Sequence, residues 1–220
     1  MPEPAVLAVD VGGSHVKMLV SGGRERRRFE SGSELGPQSM AERVVDLTHD
    51  WAYDSVSIGI PAPVHAGRVV SEPVNLGSGW VGFDFSAVFG KPTKVVNDAA
   101  MQALGSYEGG KMLFLGIGTG LGSTLVVEGV VVPMELGHLP FRKATFEDYV
   151  GERGRLRLDK KKWRAAVDET IERLSAALEP DYVVLGGGNA KRLGSLPPNC
   201  RLGANEAAFL GGFRLWSPEA

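Results

Sequence analysis

The sequence predicts an α/β protein of two lobes, each built on a strand, a glycine turn and a second strand. Three observations lead there. Short runs rich in Val, Leu and Ile alternate with stretches of helical periodicity, as in proteins that mix helices with a parallel or mixed sheet. Glycine, 30 of 220 residues, clusters behind β-branched runs at Gly12-Gly13, from Gly116 to Gly122, and at Gly186-Gly187-Gly188. One pattern also occurs twice: Leu7-Ala-Val-Asp10-Val-Gly12-Gly13-Ser14 runs into Val16–Val20, and Leu115-Gly-Ile-Gly118-Thr-Gly120-Leu-Gly122-Ser123 runs into Thr124–Val127. One unit used once per lobe would let both glycine turns reach one ligand across a central cleft.

Taken in order, the expected strands are Val6–Val11, Val16–Val20, Val56–Ile60, Lys94–Val96, Met112–Ile117, Thr124–Val127 and Tyr182–Leu185. Each is short, apolar and bounded by Gly, Pro, Asn or Asp. Met40, Val44, Leu47 and Trp51 repeat at helical spacing and predict a helix over 38–51 behind Pro37. Trp163, Val167, Ile171, Leu174 and Leu178 predict another over 160–178, stopped ahead of Pro180. Ala99–Ser106 and the Ala204–Phe213 tract read as shorter helices. The first lobe is expected over 1–96, with 205–220 returning to it, and the second over 97–204.

Composition sets the boundaries. Apolar residues make 43% and charged residues 23%, which is globular usage and excludes disorder, collagen and coiled coil. With 24 basic and 26 acidic residues there is no global attraction for nucleic acid. Cys200 is the single cysteine, so no disulfide framework or cysteine-rich zinc cluster can form. No apolar run is long enough for a membrane span, and no signal peptide precedes the first strand, so the expectation is a cytoplasmic protein.

The stretch Gly116–Gly122 is not a dinucleotide fingerprint, because that motif opens a helix and here a strand follows. A Walker-A loop is excluded as well: no glycine pair at the required spacing precedes Lys-Ser/Thr.

Six motifs then occur in order: Asp10-Val-Gly-Gly-Ser14, Gly59-Ile-Pro-Ala-Pro63, Asn97-Asp98, Gly118-Thr-Gly-Leu-Gly122, Glu135-Leu-Gly-His138 and Gly186-Gly-Gly188. Together they resemble the ROK family of sugar kinases, within the two-lobed actin-like ATPase (ribonuclease H-like) fold. Glu135–Arg142, Tyr149-Val-Gly151, Lys160-Lys-Lys-Trp163 and Tyr182–Ala190 are similar, more narrowly, to polyphosphate glucokinases. The resemblance covers nearly the whole chain.

Phosphoryl transfer needs positioned phosphates, a Mg²⁺ and a base for the attacking hydroxyl. Gly12, Gly13 and Ser14 can offer backbone N–H groups to a phosphate, since successive amides in a turn make an anion nest. The resemblance adds Lys17 to this phosphate group, makes Gly118, Thr119 and Gly120 its counterpart in the other lobe, and gives Asp10 an indirect hold on hydrated Mg²⁺. A turn cap is the plain structural reading of Asp10. Asp98, at a strand end opening a helix, can accept a hydroxyl proton, although the position equally allows a helix N-cap by Asn97 or Asp98. The resemblance assigns the base to Asp98 and lines the sugar site with Asn97, Asp98, Glu135, His138 and Glu147, with Asn75 as a further contact. Gly186, Gly187, Gly188 and Asn189 are the expected nucleotide turn. His15, His49 and His65 carry no assignment, though His15 sits within the first turn.

The chain departs from many ROK kinases in one respect. The tract Lys143–Val150 holds no cysteine, so a zinc site is not expected and His138 is read as a sugar ligand. ROK repressors need an N-terminal helix-turn-helix, which a first strand at about residue 5 leaves no room for. Arg142, Lys143, Lys160, Lys161, Lys162, Lys191 and Arg192 are candidates for a polyphosphate groove, though lysine runs are usually solvated faces. Positive charge in the first turn at 160–162 opposes the macrodipole, a cost that a polyanion would offset. The expectation is therefore a cytoplasmic glucokinase using polyphosphate, ATP or both with Mg²⁺ to phosphorylate the 6-hydroxyl of glucose. The competing readings are a kinase for another hexose, such as mannose or fructose, and a non-catalytic sugar sensor. Resemblance alone favours a homodimer.

Overall fold

The structure, a computed structural model, describes residues 4–204 and 206–217. The chain divides into two compact units, one of residues up to 105 plus those from 206 on, the other of the residues between. In the first, β1 (Val6–Val11) and β2 (His15–Val20) form a hairpin and β3 (Arg27–Glu30) adds antiparallel to β2. Helix α1 (Pro37–Leu47) leads to β4 (Ser55–Ile60), which lies parallel to β1 with all six residues buried. After a small hairpin of β5 (Val64–His65) and β6 (Arg68–Val69), α2 (Phe85–Phe89) leads to β7 (Thr93–Asn97), parallel to β4, and to α3 (Asp98–Ser106). The sheet order is β3-β2-β1-β4-β7.

Proline opens α1, and Met40, Ala41 and Val44 form its buried stripe. The helix expected to reach residue 51 ends at Leu47. Thr48 caps it, its hydroxyl donating to the Val44 carbonyl at 2.8 Å. Trp51 keeps its place against the core from the following loop, under the Arg27 guanidinium. Apolar spacing continued there without the helix because the side chain packs inward from either backbone.

The second unit repeats the plan. Strands β8 (Lys111–Ile117), β9 (Leu121–Val127) and β10 (Val130–Met134) form an antiparallel meander. A 3₁₀ turn at Leu136–His138, a hairpin of β11 (Pro140–Phe141) and β12 (Ala144–Thr145), and helices α4 (Phe146–Val150), α5 (Glu152–Arg157) and α6 (Lys160–Leu178) follow. Strand β13 (Tyr182–Gly186) then joins β8 in parallel, and β14 (Cys200–Leu202) joins β13. The order β10-β9-β8-β13-β14 has the same pattern of directions as the first sheet, so the two sequence echoes are the first hairpins of two equivalent sheets. Helix α6 has the predicted bounds and buries Trp163, Val167, Ile171 and Leu174 against this sheet. Trp163 also donates its indole N–H to the Val150 carbonyl at 2.8 Å.

Helix α7 (Ala207–Arg214) returns to the first unit, where Phe209 and Phe213 pack on Ala8 and Leu19. Ser57 in β4 donates to the Gly212 carbonyl at 2.6 Å, and Arg214 donates to the Leu104 carbonyl of α3 at 2.7 Å. The boundary expected after residue 96 therefore falls too early: α3, clasped by α7, belongs with the first unit. Of the returning tract, positions 205 and 218–220 lie outside the described residues. Among the described residues no helix is long and apolar enough to cross a membrane.

Candidate active site

Parallel strands carry ligand-binding groups at their carboxyl ends, and the first unit follows that rule. Asp10 pairs in register with Gly59, and Gly59 with Val96, so three strands form one row. Beyond it lie the turn 12–14 at one end and the junction Asn97-Asp98 at the other. Asp10, with 15% of its side chain exposed, accepts from Lys17 Nζ at 3.2 Å; the two are also cross-strand partners.

In the first turn the carbonyls are held inward. Ser31 donates its hydroxyl to the Gly12 carbonyl at 2.5 Å and its N–H to the Ser14 carbonyl at 3.0 Å, while Gly12 N–H donates to the His15 carbonyl at 2.9 Å. Gly12 thus uses the donor expected to face a phosphate. No described hydrogen bond takes the N–H of Gly13 or Ser14. Asn75 packs on this turn: a Cβ at Gly13 would stand 3.3 Å from its Cβ.

Asn97 caps α3. Its Oδ1 accepts from Ala99 N at 2.9 Å and Ala100 N at 3.2 Å, and its Nδ2 donates to the Ala62 carbonyl at 3.2 Å. That occupies most of the group expected to bind sugar. Asp98, the first residue of the helix, is half-buried and accepts from Ala99 N at 2.8 Å.

In the second unit, Glu135 precedes the 3₁₀ turn and His138 ends it, His138 N–H donating to the Glu135 carbonyl at 3.2 Å. Ser123 fixes the bend, donating to the Met134 carbonyl at 2.7 Å and accepting from Leu136 N at 3.0 Å. Glu147 comes from α4, whose Thr145–Asp148 capping box sets its first turn. Its Oε1 lies 3.8 Å from His138 Nε2, and a Cβ at Gly120 would meet its Oε2 at 2.5 Å. Glu135, His138, Glu147 and the second glycine turn therefore share one corner of this unit.

The expected nucleotide turn lies beside them, since Gly186 pairs in register with Gly116. Gly187, at φ +81°, passes so close to the Ile117 carbonyl that a Cβ would overlap it. Asn189 is buried, its side-chain amide donating to the Gly118 carbonyl at 3.1 Å and to Glu152 Oε2 at 2.9 Å. Its side chain braces the glycine turn. Glu152 and its partner Arg155 were not singled out from sequence. The pair, together with the Asn189 amide, holds the Glu152 carboxyl at a pKa of about 2.

Two residues of the basic tracts, Arg142 and Lys162, are ion-paired within the fold. Arg142 pairs with Glu169 at 2.6 Å and lies over Phe141 and Tyr149. Asp159 caps α6, accepting from Lys162 N at 2.8 Å and pairing with its Nζ at 3.0 Å. This carboxylate supplies the negative charge for which a polyanion was invoked. Lys143, Lys160, Lys161, Lys191 and Arg192 are exposed.

No protein-family model matches the chain. It is 23% identical to the polyphosphate glucokinase of Mycobacterium tuberculosis, over 84% of this chain and 77% of that one. It is 25% identical to the bifunctional enzyme NanE/NanK of Brucella melitensis over 85% of its own length, but spans only 46% of that protein. The crystal structure of an inorganic polyphosphate/ATP-glucomannokinase from Arthrobacter sp. strain KM superposes with a TM-score of 0.82 at 25% identity, covering 97% of this chain and 98% of the other. The chain is similar to the ROK sugar kinases. It shares with them the actin-like ATPase fold expected from its motifs.

Proposed function

We propose that the chain is a glucokinase, moving a phosphoryl group from polyphosphate, ATP or both to the 6-hydroxyl of glucose, with Asp98 as general base. The observation that carries this reading is the row at the carboxyl edge of the first sheet: Asp10 and the turn 12–14 at one end, Asp98 opening α3 at the other. In the transfer, the sugar oxygen bonds to the terminal phosphorus of the donor, the bridging P–O bond breaks, and Asp98 takes the hydroxyl proton. The amides of Gly13 and Ser14, and of Thr119 and Gly120, suit the phosphate oxygens. Glu135, His138 and Glu147 suit sugar hydroxyls, with Asn75 and the remaining N–H of Asn97 as lesser contacts. Gly186 and Gly188 keep their assignment to the donor side.

Asp10 fits a hydrated Mg²⁺. Among the described residues no three ligand-type side chains stand together, and Mg²⁺ needs only one or two carboxylates beside its waters and the substrate phosphates. A bound ion would neutralise negative charge on the donor's phosphate oxygens. Lys17, on the same carboxylate, is placed to add positive charge.

The test is glucose phosphorylation with Mg²⁺, run in parallel with ATP and long-chain polyphosphate on wild type and Asp98→Asn. Loss of a general base costs roughly 10²–10⁴-fold in rate; a variant near wild-type rate would refute the assignment. Mannose belongs in the same assay as a second reading, because the Arthrobacter neighbour is a glucomannokinase. Silence with every hexose would favour a sugar sensor.

A further inference from the structure

A turn binds an anion through its amides only if its carbonyls are turned away. In the second glycine turn the four carbonyls from 117 to 120 are all engaged. Ile117 accepts from Asn189 N at 3.0 Å, Gly118 from Glu152 N at 2.9 Å and from Asn189 Nδ2 at 3.1 Å, Thr119 from Glu152 N at 3.1 Å, and Gly120 from Gly118 N at 3.1 Å. No described hydrogen bond takes the N–H of Thr119 or Gly120. Three of the four carbonyls are thus held by two residues, Asn189 and Glu152, which are joined to each other at 2.9 Å. Arg155 closes the set, its guanidinium meeting both carboxylate oxygens of Glu152, one of them at 2.7 Å from Nε.

We propose that Asn189, Glu152 and Arg155 form a positioning clamp that holds the carbonyls of residues 117–119 back and so turns the Thr119 and Gly120 amides towards a phosphate of the donor. The inference rests on the reading of this turn as a phosphate site, and it replaces a nucleotide contact by Asn189 with an indirect role. The clamp acts on the phosphate chain common to ATP and polyphosphate, so it serves either donor. An asparagine suits position 189 because its amide supplies two N–H donors, one to a carbonyl and one to a carboxylate, whereas an aspartate there would lose both and face Glu152 with like charge.

The experiment compares wild type, Asn189→Ala and Glu152→Gln in hexose phosphorylation with each donor, alongside calorimetric binding of inorganic tripolyphosphate. Removing a hydrogen bond to a charged group should raise the donor KM and weaken tripolyphosphate binding by about tenfold or more. The hexose KM should stay within about twofold, because the perturbation is confined to donor binding. An unchanged donor KM and tripolyphosphate affinity in a folded variant would overturn the clamp, as would an equal rise in both KM values. Glu152→Gln keeps the shape and the Asn189 link to Gly118, so it reports even where Asn189→Ala does not fold. If wild type turns over no hexose, the kinase reading fails, while the tripolyphosphate comparison still decides the clamp.

Discussion

Replacing Gly211 by alanine should loosen the first unit, against the usual direction of that exchange. In a helix interior, alanine is favoured over glycine by roughly 0.5–1 kcal/mol. At Gly211 a Cβ would overlap the Met101 carbonyl oxygen of α3 and stand 2.9 Å from the Gly105 amide nitrogen. A Cβ at Gly105 would in turn overlap the Ala207 carbonyl of α7. The two helices therefore cross backbone to backbone, and backbone cannot swing aside as a side-chain tip can. Separating them also strips Phe209 from Ala8 and Leu19. Overpacking of this kind costs about 1–3 kcal/mol and occasionally more, and the loss of those contacts sets the upper end. Net of helix propensity, about 2 kcal/mol remains, which for a chain of this size lowers Tm by about 4–8 °C. Because α3 begins at Asp98, turnover should fall as well. Thermal and urea melts followed by circular dichroism measure the first effect, with Leu210→Ala at an exposed site of α7 as the control. A Tm at or above wild type in Gly211→Ala would refute the backbone crossing.

Two further outcomes are expected. Thr145→Ala removes the capping box of α4 and should cost about 1 kcal/mol; because α4 carries Glu147, a melt should show the loss together with a higher hexose KM. Acid should destabilise the protein in a defined window. Arg155 and then Asn189 hold Glu152 down from 4.5 to about 2, and Arg27 holds Asp50 down from 3.8 to about 2. Lowered carboxyl values stabilise the folded state above the ordinary pKa, and this stabilisation is lost as pH falls through the folded value. Urea midpoints should hold from neutrality to about pH 5 and decline towards pH 2, with a shallower decline in Arg155→Ala.

The elements legible in the sequence are those whose burial is periodic and local. Strand β1 and helix α6 have the predicted bounds, since each presents an unbroken apolar run or stripe to one sheet. The sheet pairing of β3 and β10 is hard to read from sequence because they are edge strands: Arg28 and Glu30 of β3, and Val130, Val132 and Pro133 of β10, face solvent, so the Arg24–Arg28 stretch reads only as an exposed strand or turn. Short helices such as α2 and α4 hold too few turns for a period. At the site, chemical type points to the glycine turns, while the carboxylates Asp10, Asp98, Glu135 and Glu147 take their proposed roles from the family resemblance. Neither could reveal which groups the fold consumes internally. Asn97, Asn189 and the Gly12 amide look like ligands in sequence, yet each completes a backbone hydrogen bond, and only the three-dimensional partners Ala62, Gly118 and His15 show it. Glu152 was missed for the converse reason: one acidic residue after a glycine has no signature until Arg155 and Asn189 surround it.

The first unit is discontinuous, interrupted between α3 and α7 by all of the second. During synthesis the interrupting unit emerges as one continuous stretch and can complete its core as soon as β14 appears. The earlier-made unit must wait with Ala8, Leu19 and the rear of α3 uncovered until α7 leaves the ribosome, because its closing contacts join residues as far apart as Ser57 and Gly212. Non-local closure of this kind is slow and leaves apolar surface exposed in the meantime. The helix that begins with Asp98 is thus seated by a segment made after the entire other unit, and partially synthesised chains gain their rear support for that residue last.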